Sequence, residues 1–367
     1  MISWADDFPI HQTPTFVRVP ATTDRNFYDR YWFVGYELDG SVMFGFAFGR
    51  YANRFVADAH ATVVVDGVQH SLHASGPAPL DPTDTSVGPI RLEIAAPMRE
   101  LVLHIGGSQE GITGELRFEA TTGTIDEGRT RAGRHGQLNV DQTRFMQHGT
   151  WHGWFEIDGR RVELDRMTCR GLRDKSWGIR PMAEQSASVG GGGQLFWMNV
   201  VREWEGEVTI ARTTNGPDGT AWDRAGYRTP MYDSPELVPF GERALTKLAT
   251  WDFELDLVPG TRRIAGASYR LDWRDGSTTE LVARPLTTLW YSGMGYEHRR
   301  WQHGLDHGGL VVERESRQID AVDLDEPEGR FMCHLLEFTE DGRPAGHGHT
   351  EQLFLGRYEP YGWGEQS

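Results

Sequence analysis

The densest grouping of reactive side chains in the sequence is Gly171-Leu172-Arg173-Asp174-Lys175-Ser176-Trp177-Gly178-Ile179-Arg180-Pro181. Two arginines, a lysine, an aspartate and a tryptophan stand here between two strand-rich regions. Pro181 disfavours helix at Arg180, and Gly178 permits a bulge or a close backbone approach. If Asp174 lies inside, it must be paired with Arg173, Arg180 or turn amides. Two readings follow. Asp174 is a buried knot tying two halves together with Trp177 as filler, or it is a general acid or base on a pocket wall. Burial raises a carboxyl pKa and a nearby arginine lowers it, so the residues alone leave its protonation state open.

The strand just upstream adds candidates. In Trp151-His152-Gly153-Trp154-Phe155-Glu156, alternation places His152, Trp154 and Glu156 on one face. A histidine beside a tryptophan on a barrel wall can carry a proton; the plain alternative is a satisfied or exposed strand histidine. Further on, Trp290-Tyr291-Ser292-Gly293-Met294-Gly295-Tyr296-Glu297-His298 is rich in aromatics with polar tips. Read as a strand from Tyr296 to Gln302, it puts Glu297, Arg299, Trp301 and His303 on one face. That face is either an exposed ladder of opposite charges or a wall where Glu297 looks into a cavity.

His347-Gly348-His349-Thr350-Glu351 has a metal-like look, with His347, His349 and Glu351 alternating onto one face. The gap to the glutamate is too short for a cupin pattern and no companion histidine is identifiable. A surface turn before the last strand is the better reading, and no metal or other cofactor is expected. No Cys/His quartet, H-E-x-x-H or G-x-S-x-G is present, which excludes zinc proteases and α/β-hydrolases. Gly190 to Gly193 lead into a strand, not a helix, so they lack the helix N-terminus that holds phosphate; Ser186 to Gly193 reads as a loop or lid.

The elements that position these residues are strands. Apolar residues recur with period two almost throughout. Asp39-Gly40, Asp66-Gly67, Asp158-Gly159 and Asp275-Gly276 each join two such runs as a hairpin. One short helix is expected, at about Glu242 to Thr250. The predicted fold is all-β, in two tandem barrel or sandwich halves, residues 1–180 and 181–367, with few short helices.

Composition agrees. The 367 residues can bury a core without disulfide staples. Two cysteines, Cys169 and Cys333, are too few for a disulfide framework and read as buried thiols, with a single bridge between them the open alternative. The 37 basic and 53 acidic residues give a formal charge of −16, which argues against nucleic acid as a partner. No run approaches the ~20 apolar residues of a membrane span, and the first residues do not form a signal peptide, so a soluble cytoplasmic protein is expected. The 13 Trp and 44 Gly suit tight turns around an aromatic-walled interior.

Asp174-Lys175-Ser176-Trp177-Gly178, following a Trp-x-Gly-Trp strand and a hairpin, resembles the Asp-x-x-Trp-Gly signature of a lipocalin-like superfamily. That group includes carotenoid 1,2-hydratases (hydroxyneurosporene synthases), kievitone hydratase-like proteins and AttH-like proteins. Asp29 to Tyr36 and the Val64 to Gln69 hairpin are similar to a large, mostly uncharacterised bacterial branch. The resemblance implies two lipocalin-like (calycin-type) barrel halves holding a hydrophobic ligand, and cofactor-free acid/base chemistry on an isoprenoid or aromatic molecule. Asp174 would donate a proton or support the donor; Trp177 would line the cavity or stabilise a cation through its ring face. One departure matters. The carotenoid hydratases carry a histidine where this chain has Arg173, and an arginine there would hold Asp174 ionised.

The expected function is therefore a lyase, hydratase or isomerase acting on a terpenoid, polycyclic or phenylpropanoid-like molecule. Asp174 and His152 would move protons, Arg173 or Arg180 would set the charge state, and Glu297 would add a second carboxylate. Trp154, Trp177, Arg180, Trp197, Tyr291 and Tyr296 would hold the substrate. The alternative is a non-catalytic carrier of hydrophobic metabolites. A homodimer is left open.

Overall fold

The structure is a computed structural model describing residues 2–107, 109–134, 137–182, 194–241, 244–322 and 326–364. The Ser186 to Gly193 loop lies outside the described residues. The rest is nearly all strand, as the period-two pattern predicts. In the first part run β1 (Phe27–Glu37), β2 (Val42–Tyr51), β3 (Val56–Val65), β4 (Val68–Pro77), β5 (Ser86–Val87), β6 (Ile90–Ala96) and β7 (Glu100–Ile105). They are followed by β8 (Ile112–Ala120), β9 (Ile125–Arg134), β10 (Gln137–Ile157), β11 (Arg160–Leu164) and β12 (Cys169–Ile179). The second part holds β13 (Leu195–Trp204), β14 (Glu207–Asn215), β15 (Ala221–Pro230), β16 (Thr246–Leu257), β17 (Ile264–Trp273) and β18 (Thr278–Trp290). Last come β19 (Val311–Gln318), β20 (Phe331–Glu340) and β21 (Arg343–Leu355).

Two sheets result. One is a 13-stranded curled sheet in the order β19-β4-β3-β2-β1-β12-β10-β8-β7-β6-β5, with β9 and β11 also paired to β10. The other is a closed eight-stranded barrel, β13-β14-β15-β16-β17-β18-β20-β21. One strand crosses over: β19 leaves the barrel sequence after β18 and pairs antiparallel with β4, Val311 opposite Ser75 and Gln318 opposite Val68. The hairpins form where the Asp-Gly pairs demand them. Asp66-Gly67 (φ 51° and 75°) and Asp158-Gly159 (φ 52° and 81°) both take the doubly left-handed form of a type I′ turn.

Two sequence expectations are corrected. Of the helix expected at Glu242 to Thr250, the first two residues lie outside the described residues and the rest is not helical; from Thr246 onward the chain is β16, bridging β15 and β17 to close the barrel. A bulge between Leu248 and Thr250 shifts the alternation by one residue, so Leu248 and Trp251 both turn inward. That three-residue spacing imitates a helical face. The strand at Tyr296 to Gln302 is also absent. Tyr291–Met294 form a 3₁₀ turn closed by Gly295 at φ 77°, and an irregular segment follows.

The first core is aromatic: Phe33, Phe44, Phe46, Phe118, Trp151 and Phe155 are all buried. Trp151 sits at its centre, edge-on to Phe33 (5.6 Å), Phe44 (5.2 Å) and Phe118 (5.2 Å). Room for it comes from three glycines in one row across the sheet, Gly35, Gly171 and Gly149, paired through β1, β12 and β10. A methyl group at Gly35 would lie 2.1 Å from the Phe44 ring, at Gly149 2.5 Å from Phe118, and at Gly171 2.6 Å from Trp151 Nε1 and 2.1 Å from the Val34 carbonyl. The barrel has its own core around Phe196, Trp251, Tyr269, Phe338 and Phe354. A third cluster joins the two sheets, pressing Trp32, Val34, Tyr36 and Met43 of the first against Val201, Ile210, Leu289 and Leu335 of the barrel. Strand β1 is thus buried on both faces, Phe33 to one side and Trp32 and Val34 to the other.

Because backbone stands against the site of the missing side chain, Gly171→Ala is expected to cost about 1–3 kcal/mol by overpacking. The midpoint of urea unfolding would fall with little change in slope.

Candidate active site

Strand alternation splits the Gly171–Pro181 motif. Arg173, Lys175 and Trp177 turn to the face away from the barrel, and Asp174, Ser176 and Arg180 toward it. The latter three line a cavity of about 210 Å³. The first sheet and its exit segment contribute Trp32, Gln142, Arg144, Met146 and Pro181 to its wall, together with Glu127. The barrel contributes Trp197, Asn199, Arg212, Phe331, Glu351 and Leu353, and the segment after β18 adds Tyr291, Tyr296, Glu297 and His303. The apolar wall is aromatic: Phe331 stands 5.8 Å from Trp197 and 4.2 Å from Tyr291, which meets Trp32 at 5.7 Å, centroid to centroid.

The charges are arranged as a short ladder across the two sheets. Glu127, with a side chain 3% exposed, accepts hydrogen bonds from Arg144 of β10 (2.7 Å) and from Arg212 of β14. Arg144 Nε lies 3.4 Å from Asp174 Oδ2. Burial is the largest influence on Asp174. Arg144 pulls its pKa down, Glu127 and Glu351 push it up, Arg180 pulls it down, and the balance stands at about 7. Asp174 therefore exchanges its proton near neutrality. Glu351 is buried on β21, where Asn199 Nδ2 donates to its Oε1 at 2.9 Å and His349 Nε2 stands 3.8 Å away. Burial raises the Tyr291 hydroxyl well above its ordinary range, with Cys333 and Glu351 adding to it, and burial also raises Glu297.

Of the residues singled out from the sequence, Asp174, Arg180, Trp197, Tyr291, Tyr296 and Glu297 come together at the cavity. Arg173 does not. Its Nε donates to Gln147 Oε1 at 2.9 Å and its guanidinium stacks over Phe145, on the face opposite Asp174. It therefore does not hold Asp174 ionised; Arg144 is the neighbouring cation, and burial outweighs it. Trp177, 38% exposed, packs on Phe145 and under Lys175, away from the cavity. His152 shares strand parity with Met146 but stands six residues further along β10, roughly 20 Å at strand spacing. Trp154 lies beyond it with Arg161 4.2 Å over its ring. Glu297, Arg299, Trp301 and His303 form no ladder: Arg299 pairs with Glu326, and Trp301 is buried in a stack on His73 at 5.2 Å.

Glu351, Glu127, Arg144, Arg212 and Asn199 were not picked out from the sequence. Only Glu351 left a signal. The His347, His349, Glu351 alternation belongs to β21, not to a surface turn, and His349 and Glu351 are buried. Cys169 and Cys333 are both buried and unbridged.

A second polar cluster lies behind the cavity. His73, His298 and Glu315 each bring one potential ligand atom within 4.8 Å of the others, a spacing that invites a cation. The histidine tautomer opposes one. His298 Nδ1 accepts the backbone N–H of Arg300 (3.0 Å) and of Trp301 (2.9 Å), so its proton sits on Nε2 and points at Glu315 Oε2, 3.2 Å away. A metal-bound imidazole needs the reverse assignment. Nearby, buried Arg30 donates to Asp58 Oδ1 (3.0 Å), Tyr51 (2.8 Å) and the Met294 carbonyl (2.9 Å), while Gly304 N donates to Asp58 Oδ2 (2.8 Å). These bonds clamp the segment bearing Tyr296, Glu297 and His303 onto the first sheet.

The architecture is shared with solved structures that align over most of both chains. An AttH-like protein (NE1406) of Nitrosomonas europaea matches at TM-score 0.54 and 15% identity, over 89% of this chain and 92% of that one. Kievitone hydratase of Nectria haematococca matches at 0.50 and 13%, over 89% and 88%. CghA, in its structure with Sch210972, matches at 0.50 and 12%, over 90% and 89%. These likenesses define the fold as the two-part lipocalin-like one that the Asp-x-x-Trp-Gly motif implies. The chain itself belongs to a family of unknown function (DUF8625), which it matches over residues 2–364. No curated protein matches the sequence significantly. No helix among the described residues is long and apolar enough to cross a membrane.

Asp174 should leave a mark on stability. Its native carboxyl stays protonated up to about pH 7, whereas in the unfolded chain it ionises near pH 4, at about the model-peptide value. The stability tied to this group is complete below about pH 4, declines as pH rises toward 7, and is flat above. Asp174→Asn removes that decline. Thermal melts from pH 4 to 8 should show the wild type losing more stability than the variant across this window.

Proposed function

We propose that this protein is a cofactor-independent lyase of the hydratase type, acting by acid/base chemistry on an apolar, unsaturated small molecule. The observation that carries this reading is Asp174: a carboxyl group exchanging its proton near neutrality, set in the wall of an aromatic-lined cavity. Protonated Asp174 delivers its proton to one carbon of a carbon–carbon double bond. Positive charge develops at the neighbouring carbon, where the faces of Trp32, Trp197 and Tyr291 can stabilise it. Water attacks that carbon, and Glu351, oriented by Asn199, accepts the proton that water releases. Run backwards, the same groups eliminate water; with a second double bond as the nucleophile, a ring closes, the positive charge moves to that bond's far carbon, and loss of a proton from the adjacent carbon to Glu351 ends the reaction. Two structural neighbours, kievitone hydratase, named for hydration, and CghA, whose structure holds Sch210972, support this class. The cavity suits terpenoid, polycyclic or phenylpropanoid-like bodies.

The test starts from whatever small molecule co-purifies with the protein, identified by mass spectrometry and followed for conversion by liquid chromatography. Asp174→Asn is expected to keep affinity within about 3-fold while lowering kcat by about 10²–10⁴-fold, the range for loss of a general acid. Glu351→Gln should lower kcat without removing binding. His152→Ala, remote from the cavity, should leave both unchanged. Equal turnover by wild type and Asp174→Asn would sink the assignment. A ligand bound tightly and never altered by the wild type would make the protein a carrier.

A further inference from the structure

Among the described residues three arginines line the cavity, and two of them already have carboxylate partners, Arg212 also meeting Asp223. Arg144 and Arg212 both donate to Glu127. Arg180 is different. Among the described residues no carboxylate lies within ion-pairing distance of it, and its one hydrogen bond goes from Nη2 to His303 Nδ1, a long 3.4 Å. Its guanidinium stacks 4.5 Å over the ring of Tyr28, whose own hydroxyl is spent on Gln142 Oε1 at 2.7 Å. His303 supplies no negative charge either. With Nδ1 accepting from Arg180, its proton sits on Nε2, facing the Met294 carbonyl at 3.4 Å.

We propose that Arg180 anchors a monoanionic oxygen group of the substrate, a carboxylate or an ionised enol or phenol, so that the ligand is an apolar molecule with one acidic end. This rests on the cavity being the ligand site. A guanidinium offers five N–H donors in a planar fork that matches a two-oxygen anion, and among the described residues only Nη2 of this fork has a hydrogen-bond partner. Removing such a cation from water without a counter-charge is costly, and in a chain with 53 acidic and 37 basic residues partners are not scarce. Among the described residues the gap is local to Arg180, which lines the cavity. A dianion such as phosphate is disfavoured, because Asp174, Glu127 and Glu351 share the same wall.

The anchor also bears on the chemistry. Arg180 is one of the two cations that favour ionised Asp174. An anion seated on Arg180 cancels part of that effect, so binding keeps Asp174 protonated and ready to donate. Substrate recognition and loading of the acid become one event.

The test compares two probes of equal shape, 2-naphthoate and 2-naphthylmethanol, by isothermal titration calorimetry on the full chain at pH 8. The wild type should prefer the acid by about 10- to 100-fold, as one charge-assisted contact warrants. Arg180→Gln should abolish the preference by weakening the acid alone, and Arg180→Lys should restore part of it. Near-UV circular dichroism checks that each variant is folded, and Arg180→Met replaces the Gln variant if that one is not. Equal affinity for acid and alcohol, or a preference that survives loss of the charge, overturns the anion anchor while leaving an apolar-ligand cavity intact. Displacement of the acid by equimolar inorganic phosphate overturns the monoanion assignment. If neither probe binds, the cavity is not the ligand site and both proposals fall.

Discussion

Strand β12 is covered on both sides over most of its length, and the chemistry of the molecule depends on that. A half-solvated antiparallel strand would leave one row of side chains in water. Here one row meets an aromatic core and the other meets a second sheet. Every charge on the second row is withdrawn from bulk solvent, so each must find a partner or change its protonation state. Glu127 finds two arginines, one from each sheet. Asp174 finds half of one and responds by holding its proton. A reactive carboxyl therefore arises from the same packing that joins the two sheets. Removing two charges from water is expensive even when they pair, so the Arg144-Glu127-Arg212 bridge is better understood as fixing the registration of the sheets than as a large source of stability.

The sequence made the strands legible because period-two patterning and Asp-Gly turns are local signals. It also pointed to the Asp174 motif, since so many charges in an extended run need an explanation. What it could not show is which neighbour belongs to which face of a partner strand. Arg173 is adjacent to Asp174 in the chain and on the opposite side of the sheet. Arg144 is 30 residues away in sequence and 3.4 Å away in space. The row of Gly35, Gly171 and Gly149 is likewise invisible until β1, β12 and β10 are placed in register. The helix expected at 242–250 failed for another reason: a bulge at Leu248 gives a strand the spacing of a helical turn.

The second-part contribution to the cavity was harder still. Tyr291, Tyr296, Glu297 and His303 sit on an irregular segment whose course is set by long-range contacts, Arg30 to the Met294 carbonyl and Asp58 to Gly304 N. Nothing in the local residues announces those contacts. Residue type alone brought Glu297 and the tyrosines into consideration, through the density of aromatics with polar tips. The strand assumed to carry them does not exist.

The crossing of β19 has a consequence for how the chain is made. Until residues 311–318 leave the ribosome, β4 presents a bare row of backbone donors and acceptors, the kind of edge that recruits other chains. The barrel cannot close early either, because β18 pairs with β20, and β19 lies between them in the chain. Each sheet waits for a piece supplied late in translation, so the nascent protein has a long interval in which neither sheet is complete. Such a topology belongs with slow, long-range folding, and it gives molecular chaperones a defined object to shield: the unpaired flank of β4.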